Sequence, residues 1–188
     1  GGEPMAEVES FVYLGVEFGK RRGWKEMKNK VLSKVEGRIR KVDVLRNTYG
    51  LGIKEALRVW DAVGRPVLEY GSAVWANAYW REGERGLMRL GRRLIGVRRN
   101  TNQEVIQGEL GLWRMKGRWD LARLRLWRKL VEGENLLASW VYRQSRVEFE
   151  KGGRQDTGSW CWYTWKVLKS IGREMDWEVE HVGGALWS

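Results

Sequence analysis

Histidine and cysteine occur once each in this sequence of 188 residues, and proline twice. A lone Cys161 excludes an internal disulfide, and one cysteine with one histidine cannot assemble a conventional structural zinc site. The chain therefore suits a reducing, intracellular compartment, nuclear or cytoplasmic. His181 has no partner in the sequence that would make it a base or a metal ligand. No run of 18 or more apolar residues is present, so nothing spans a bilayer. The start, Gly1-Gly2-Glu3-Pro4, lacks the basic and apolar regions of a signal peptide. It also lacks an initiator methionine, and the expectation is a piece of a longer protein. Carboxylates are in deficit, with 24 Asp and Glu against 35 Lys and Arg. Asp43, Asp61, Asp120, Asp156 and Asp176 are isolated from one another, and no adjacent acidic pair falls on a predicted strand and turn. None of the 24 glycines forms a phosphate-binding or dinucleotide fingerprint. No catalytic residue, no metal site and no cofactor is assigned to this chain.

What is present describes a folded, mainly α protein: 43% hydrophobic and 31% charged residues, with a net charge of +11. That charge favours a polyanionic partner, either nucleic acid or an anionic membrane surface. The helical pattern centres on residues 53–75. Ile53, Ala56, Leu57, Trp60 and Val63 recur at helical spacing, and Val67, Tyr70, Gly71, Val74 and Trp75 continue the pattern. Pro66 has no N–H to give Ala62, which predicts a kink or restart near Gly64-Arg65. A bent central helix with others packed around it is the expected core.

Ahead of it, Val8 to Phe18 alternates. Val8, Ser10, Val12, Leu14, Val16 and Phe18 fall on one side, and Glu9, Phe11, Tyr13, Gly15 and Glu17 on the other, as in a strand or hairpin bent near Gly15. Burial of Val12, Leu14, Val16 and Phe18 against helices would leave Phe11 and Tyr13 open. From Trp24 to about Asn47 an amphipathic helix carries Val31, Val35, Ile39 and Val42 on one stripe. Lys30, Lys34, Arg38 and Lys41 form a second stripe beside it. A core-facing stripe flanked by a basic one suits a helix that touches a phosphate backbone, although lysine stripes also simply solvate helices.

After a loop over 76–83, a helix from Glu84 to Ile95 sets Leu87, Leu90 and Leu94 opposite Arg85, Arg89, Arg92 and Arg93, with Arg98 and Arg99 following. The planar guanidinium fork matches phosphate oxygens. Thr101 or Asn102 caps a short helix closed by Gly111. The helix from Arg114 to Val131 has a wide apolar arc through Trp119, Leu121, Leu124, Trp127, Leu130 and Val131, and another helix runs from Glu134 to Glu150. The polar stretch 151–158 is the best internal boundary, and beyond it lies a small tryptophan-rich unit. Most of the 13 tryptophans lie on apolar helix faces and are read as core, Cys161 among them.

One segment carries a resemblance. Arg65-Pro66-Val67-Leu68-Glu69-Tyr70-Gly71, ending at Trp75, is similar to a segment found after the palm in reverse transcriptases of LINE-type (non-LTR) retrotransposons. Phe11-Val12-Tyr13-Leu14-Gly15-Val16, Trp24 and Gly108-Glu109-Leu110-Gly111-Leu112 fall in that family's order. The resemblance covers about Phe11 to Leu130. It implies a primer grip at Phe11, Tyr13, Leu14 and Gly15 (residues 1–23) and a helical thumb over 24–150; the tryptophan-rich unit over 151–188 lies beyond it. It further implies a non-catalytic part of an RNA-directed DNA polymerase that holds an RNA–DNA or DNA duplex. The palm and fingers of the same polyprotein, with their magnesium, would do the chemistry. Two alternatives stay open: a free-standing relic of such an element, and a peripheral membrane protein using basic amphipathic helices.

Overall fold

The computed structural model describes residues 9–19, 24–76, 80–133, 135–155 and 157–178. Val8, Tyr79, Glu134, Asp156 and His181 lie outside the described residues. The protein is mainly α with one short antiparallel hairpin, as expected. None of the described helices is long and apolar enough to cross a membrane. The chain forms two compact units. One comprises Gly1–Gly71 and Trp80–Arg114, the other Ser72–Tyr79 and Met115–Ser188. The polar stretch 151–158 thus lies inside the second unit.

The first unit opens with β1 (Ser10–Tyr13) and β2 (Val16–Gly19), joined by Leu14-Gly15. Phe11 pairs with Phe18, Val12 with Glu17 and Tyr13 with Val16. A two-residue turn restarts the alternation, so the single alternating pattern expected through Gly15 does not hold. Val16 and Phe18 share a face with Phe11 and Tyr13, because directly opposed residues of a ladder point the same way. The burial expected for Val12 and Leu14 fails with it: they are 55% and 72% exposed. Val16 and Phe18 are half-buried.

Helix α1 (Lys25–Tyr49) buries Met27, Val31, Val35, Ile39 and Val42, which recur at three and four residues along one face. Against this stripe pack α2 (Ile53–Val63), α3 (Arg65–Glu69) and α5 (Arg81–Ile95), which bring in Trp60, Leu68, Leu87, Leu90 and Leu94. The expected break does fall at Gly64, where an added Cβ would stand 2.0 Å from the Trp60 ring. Pro66 sits in the first turn of α3, where a missing N–H leaves no hydrogen bond unmade. A second break, which the apolar periodicity does not mark, falls at Tyr70-Gly71. Tyr70 is extended and Gly71 takes φ +64°, so the apolar run is divided into α2, α3 and α4 (Ser72–Trp75) instead of one bent helix. Apolar periodicity reports which face is buried and is blind to one left-handed residue. Helix α5 begins about a turn before the predicted Glu84. Helix α6 (Gln103–Leu110) is capped by Asn102, whose side chain accepts from Glu104 N–H at 3.0 Å.

In the second unit, α4 packs on α7 (Met115–Glu132), which also contacts α8 (Leu136–Lys151) and α9 (Trp160–Ser170); α10 (Glu174–Glu178) closes on α9. The core gathers Leu124, Trp127, Tyr142, Phe149, Leu168 and Trp177, with Cys161 buried among them. Trp127 stacks on Trp177 at 6.3 Å, and its indole N–H donates to the Tyr142 hydroxyl at 2.9 Å. The apolar arc of α7 is narrower than expected, since Leu121 is 36% exposed while Arg123, one turn from Trp119, is buried. Its guanidinium donates to the Ala76 carbonyl at 2.7 Å and lies over the rings of Trp160 and Tyr163. Burial lowers its pKa to about 10 against the pull of Asp120 and Tyr163, so it is charged at neutral pH.

Candidate nucleic-acid interface

The first unit contains a groove of about 470 Å³ formed by α1, α3 and the hairpin turn. Met27, Val31, Pro66 and Val67 give it apolar lining. Lys34, Arg38 and Lys41 line it from α1, and Gly15 and Tyr70 from the turn and the end of α3. At about 1.5 Å of rise per residue, Lys34 to Lys41 spreads three cations over ~10 Å of the groove. None of the three makes an ion pair or a side-chain hydrogen bond among the described residues. Lys30, the fourth member of the stripe, is 3.5 Å from Glu17 on β2 and ties the hairpin to α1. Beside it the Glu17 N–H meets the Met27 sulfur at 3.4 Å, and Phe18 packs edge-on to Trp24 at 5.4 Å.

The turn is held from the other side. The Tyr70 hydroxyl donates to the Leu14 carbonyl at 2.5 Å across a sequence separation of 56. A Cβ on Gly15 would meet the Tyr70 ring at 3.4 Å. Leu14 and Gly15 both have positive φ, +46° and +79°, as a type I′ hairpin turn requires. Glycine takes such a conformation freely, whereas a leucine there is strained by about 1–2 kcal/mol. Its side chain, mostly exposed, recovers little of that by burial. Phe11 and Tyr13 remain 55% and 64% exposed on the hairpin face they share with Phe18, which Phe11 stacks at 5.2 Å.

The arginines of α5 are placed differently from the stripe on α1. Arg89 binds Glu36 at 3.0 Å and Arg93 binds Asp43, so both pair with acids on α1. Arg46 in turn donates to the Arg93 carbonyl at 3.1 Å. Arg92 departs from the exposed face expected of it. It is half-buried, donates to the Thr101 carbonyl at 2.9 Å and leaves its Nε buried with no partner among the described residues. Arg85, Arg98 and Arg99 are exposed and line neither the α1 groove nor the small depression around Arg89 and Arg93. The structure therefore brings Lys34, Arg38 and Lys41 together with Gly15, and leaves the arginine cluster apart. Tyr70, which the sequence marks only as part of the apolar run and of the most distinctive motif, is the residue that ties the groove to the hairpin turn.

Compared with protein-family models, curated proteins and solved structures, the chain matches none.

Proposed function

We propose that the first unit grips the sugar–phosphate backbone of a template–primer in the groove between α1, α3 and the hairpin turn. In this reading the chain is a non-catalytic part of a retroelement reverse transcriptase. The observation that carries it is the Tyr70–Leu14 hydrogen bond. It joins two of the segments on which the resemblance rests, at a groove lined by Lys34, Arg38 and Lys41, none of them ion-paired among the described residues. Backbone contacts of this kind position nucleic acid without reading its sequence. The ion-paired Arg89 and Arg93 contribute less, because each would have to give up a carboxylate to take a phosphate.

The test is fluorescence anisotropy with a labelled RNA template annealed to a DNA primer, set against co-sedimentation with anionic lipid vesicles. The reading expects nucleic-acid binding that the combined Lys34→Ala, Arg38→Ala and Lys41→Ala variant loses. Vesicle binding with no response to the primed template would contradict it and favour the membrane alternative. The chain alone should not extend the primer with magnesium or manganese and nucleotides; extension above a heat-killed control would oppose the non-catalytic assignment.

A further inference from the structure

The groove is concave and small, and three of its features do not belong to a surface made only for a duplex backbone. Its apolar lining, Met27, Val31, Pro66 and Val67, offers nothing to a phosphate. Tyr70, 55% exposed, is tethered by its hydroxyl to the Leu14 carbonyl, which holds its ring beside the hairpin turn. Gly37 lines the groove without a side chain, and a Cβ added there would meet nothing within 4 Å. An open groove of about 470 Å³ has room for one small organic group such as a nucleotide. A base-paired duplex can lay only its backbone along such a groove, because its bases are already stacked on one another. An unpaired nucleotide has a free π-face and an apolar sugar edge.

Resting on the reading given above, we propose that this groove holds a single unpaired strand of nucleic acid, with one base on the Tyr70 ring and flanking phosphates on Lys34, Arg38 and Lys41. Aromatic stacking accepts any base, so the site favours single strands without favouring a sequence. A template overhang next to a primer end is the form of substrate that presents such a strand.

The experiment compares a labelled single-stranded pyrimidine oligonucleotide, a blunt RNA–DNA duplex of equal length and the same duplex with a single-stranded tail. Four proteins are used: the native chain, Gly37→Phe, Tyr70→Leu and Tyr70→Phe. Gly37→Phe fills the groove from a helical position with open space around it, and circular dichroism checks that the fold persists. The native chain should bind the single strand and the tailed duplex more tightly than the blunt duplex. Gly37→Phe and Tyr70→Leu should each lose about tenfold or more on the unpaired strand, and clearly less than that on the blunt duplex. Tyr70→Phe keeps the ring but releases it from the Leu14 carbonyl, so it should lose less single-strand affinity than Tyr70→Leu. Equal or tighter binding of blunt duplex, or single-strand affinity that ignores Gly37→Phe and Tyr70→Leu, overturns this inference and leaves the backbone grip standing. Failure to bind any of the three nucleic acids overturns both.

Discussion

Leu14 sits at positive φ with its side chain mostly in solvent, and its carbonyl accepts from the Tyr70 hydroxyl. Asparagine tolerates that conformation and forms the preferred type I′ pair with a following glycine. Leu14→Asn should raise the stability of the first unit by about 1 kcal/mol in a denaturant titration. Its template–primer affinity should stay unchanged or fall if the exposed leucine contacts ligand. A loss of stability would mean that Leu14 packs in a way its exposure does not suggest. In the second unit, burial raises the Tyr142 hydroxyl to about 12, ahead of the opposing pulls of Trp127 and Arg146. A phenol whose folded pKa lies above its unfolded value lends stability that is complete below about 10 and lost as pH rises toward 12. Tyr142→Phe should therefore flatten the alkaline fall in stability between those values. At neutral pH it should cost about 1–3 kcal/mol, because the Trp127 N–H loses its acceptor. Chemical denaturation at pH 8, 10 and 11.5 reads both effects.

Among the elements, the amphipathic stripe of α1 and the leucine face of α5 were legible because burial of one face imposes a period that residue types record. The Asn102 cap was legible because a side chain that accepts an N-terminal N–H is a local device. The hairpin faces were not, since a two-residue turn shifts the alternation and nothing in Tyr13-Leu14-Gly15-Val16 marks the shift except the glycine. Nor was the division of residues 53–75 into three helices, or the burial of Arg123, which depends on a carbonyl and two rings brought by other segments. As for the candidate site, the basic stripe was visible from spacing, but which cations remain unpaired was not. Glu36 and Asp43 meet Arg89 and Arg93 only once α5 packs on α1. Helix α10 shows how such tertiary pairing holds a short element. Five residues cannot sustain a helix alone, and α10 is anchored by Trp177, whose indole N–H donates to the Glu150 carboxylate at 2.6 Å and whose backbone carbonyl accepts from Arg146 at 2.5 Å. Partial burial pushes the Glu150 carboxyl up, but hydrogen bonds from Arg154 and Trp177 outweigh it and the net shift is downward. A carboxyl lowered in the folded state gives stability that is present above its unfolded pKa of about 4.5 and lost as pH falls through the lower folded value. Hydrogen exchange should show 174–178 opening on acidification below about pH 4.5 before α7 does, and Glu150→Gln should open it at neutral pH. Simultaneous opening of both would indicate that α10 is held by its apolar contacts alone.

At the scale of the molecule, the charge of +11 predicts an affinity for polyanions that any basic protein would share, so binding by itself discriminates little. The discriminating quantity is where the charge acts. If the groove is the grip, the cations that count are Lys34, Arg38 and Lys41, and the paired Arg89 and Arg93 serve mainly to seat α5 on α1. The most direct measurement is the slope of log affinity against log salt for a primed RNA–DNA template. It should be taken for the native chain, for Lys34→Ala with Arg38→Ala and Lys41→Ala, and for Arg89→Ala with Arg93→Ala. Each phosphate neutralised contributes about 0.9 to the slope on duplex and about 0.7 on a single strand. Removing the three groove cations should make the slope shallower by about 2 to 3, with helical content unchanged, while the arginine pair should alter it by less than about 1. An unchanged slope in the groove variant, or a larger change in the Arg89 and Arg93 variant, would contradict the groove as the grip.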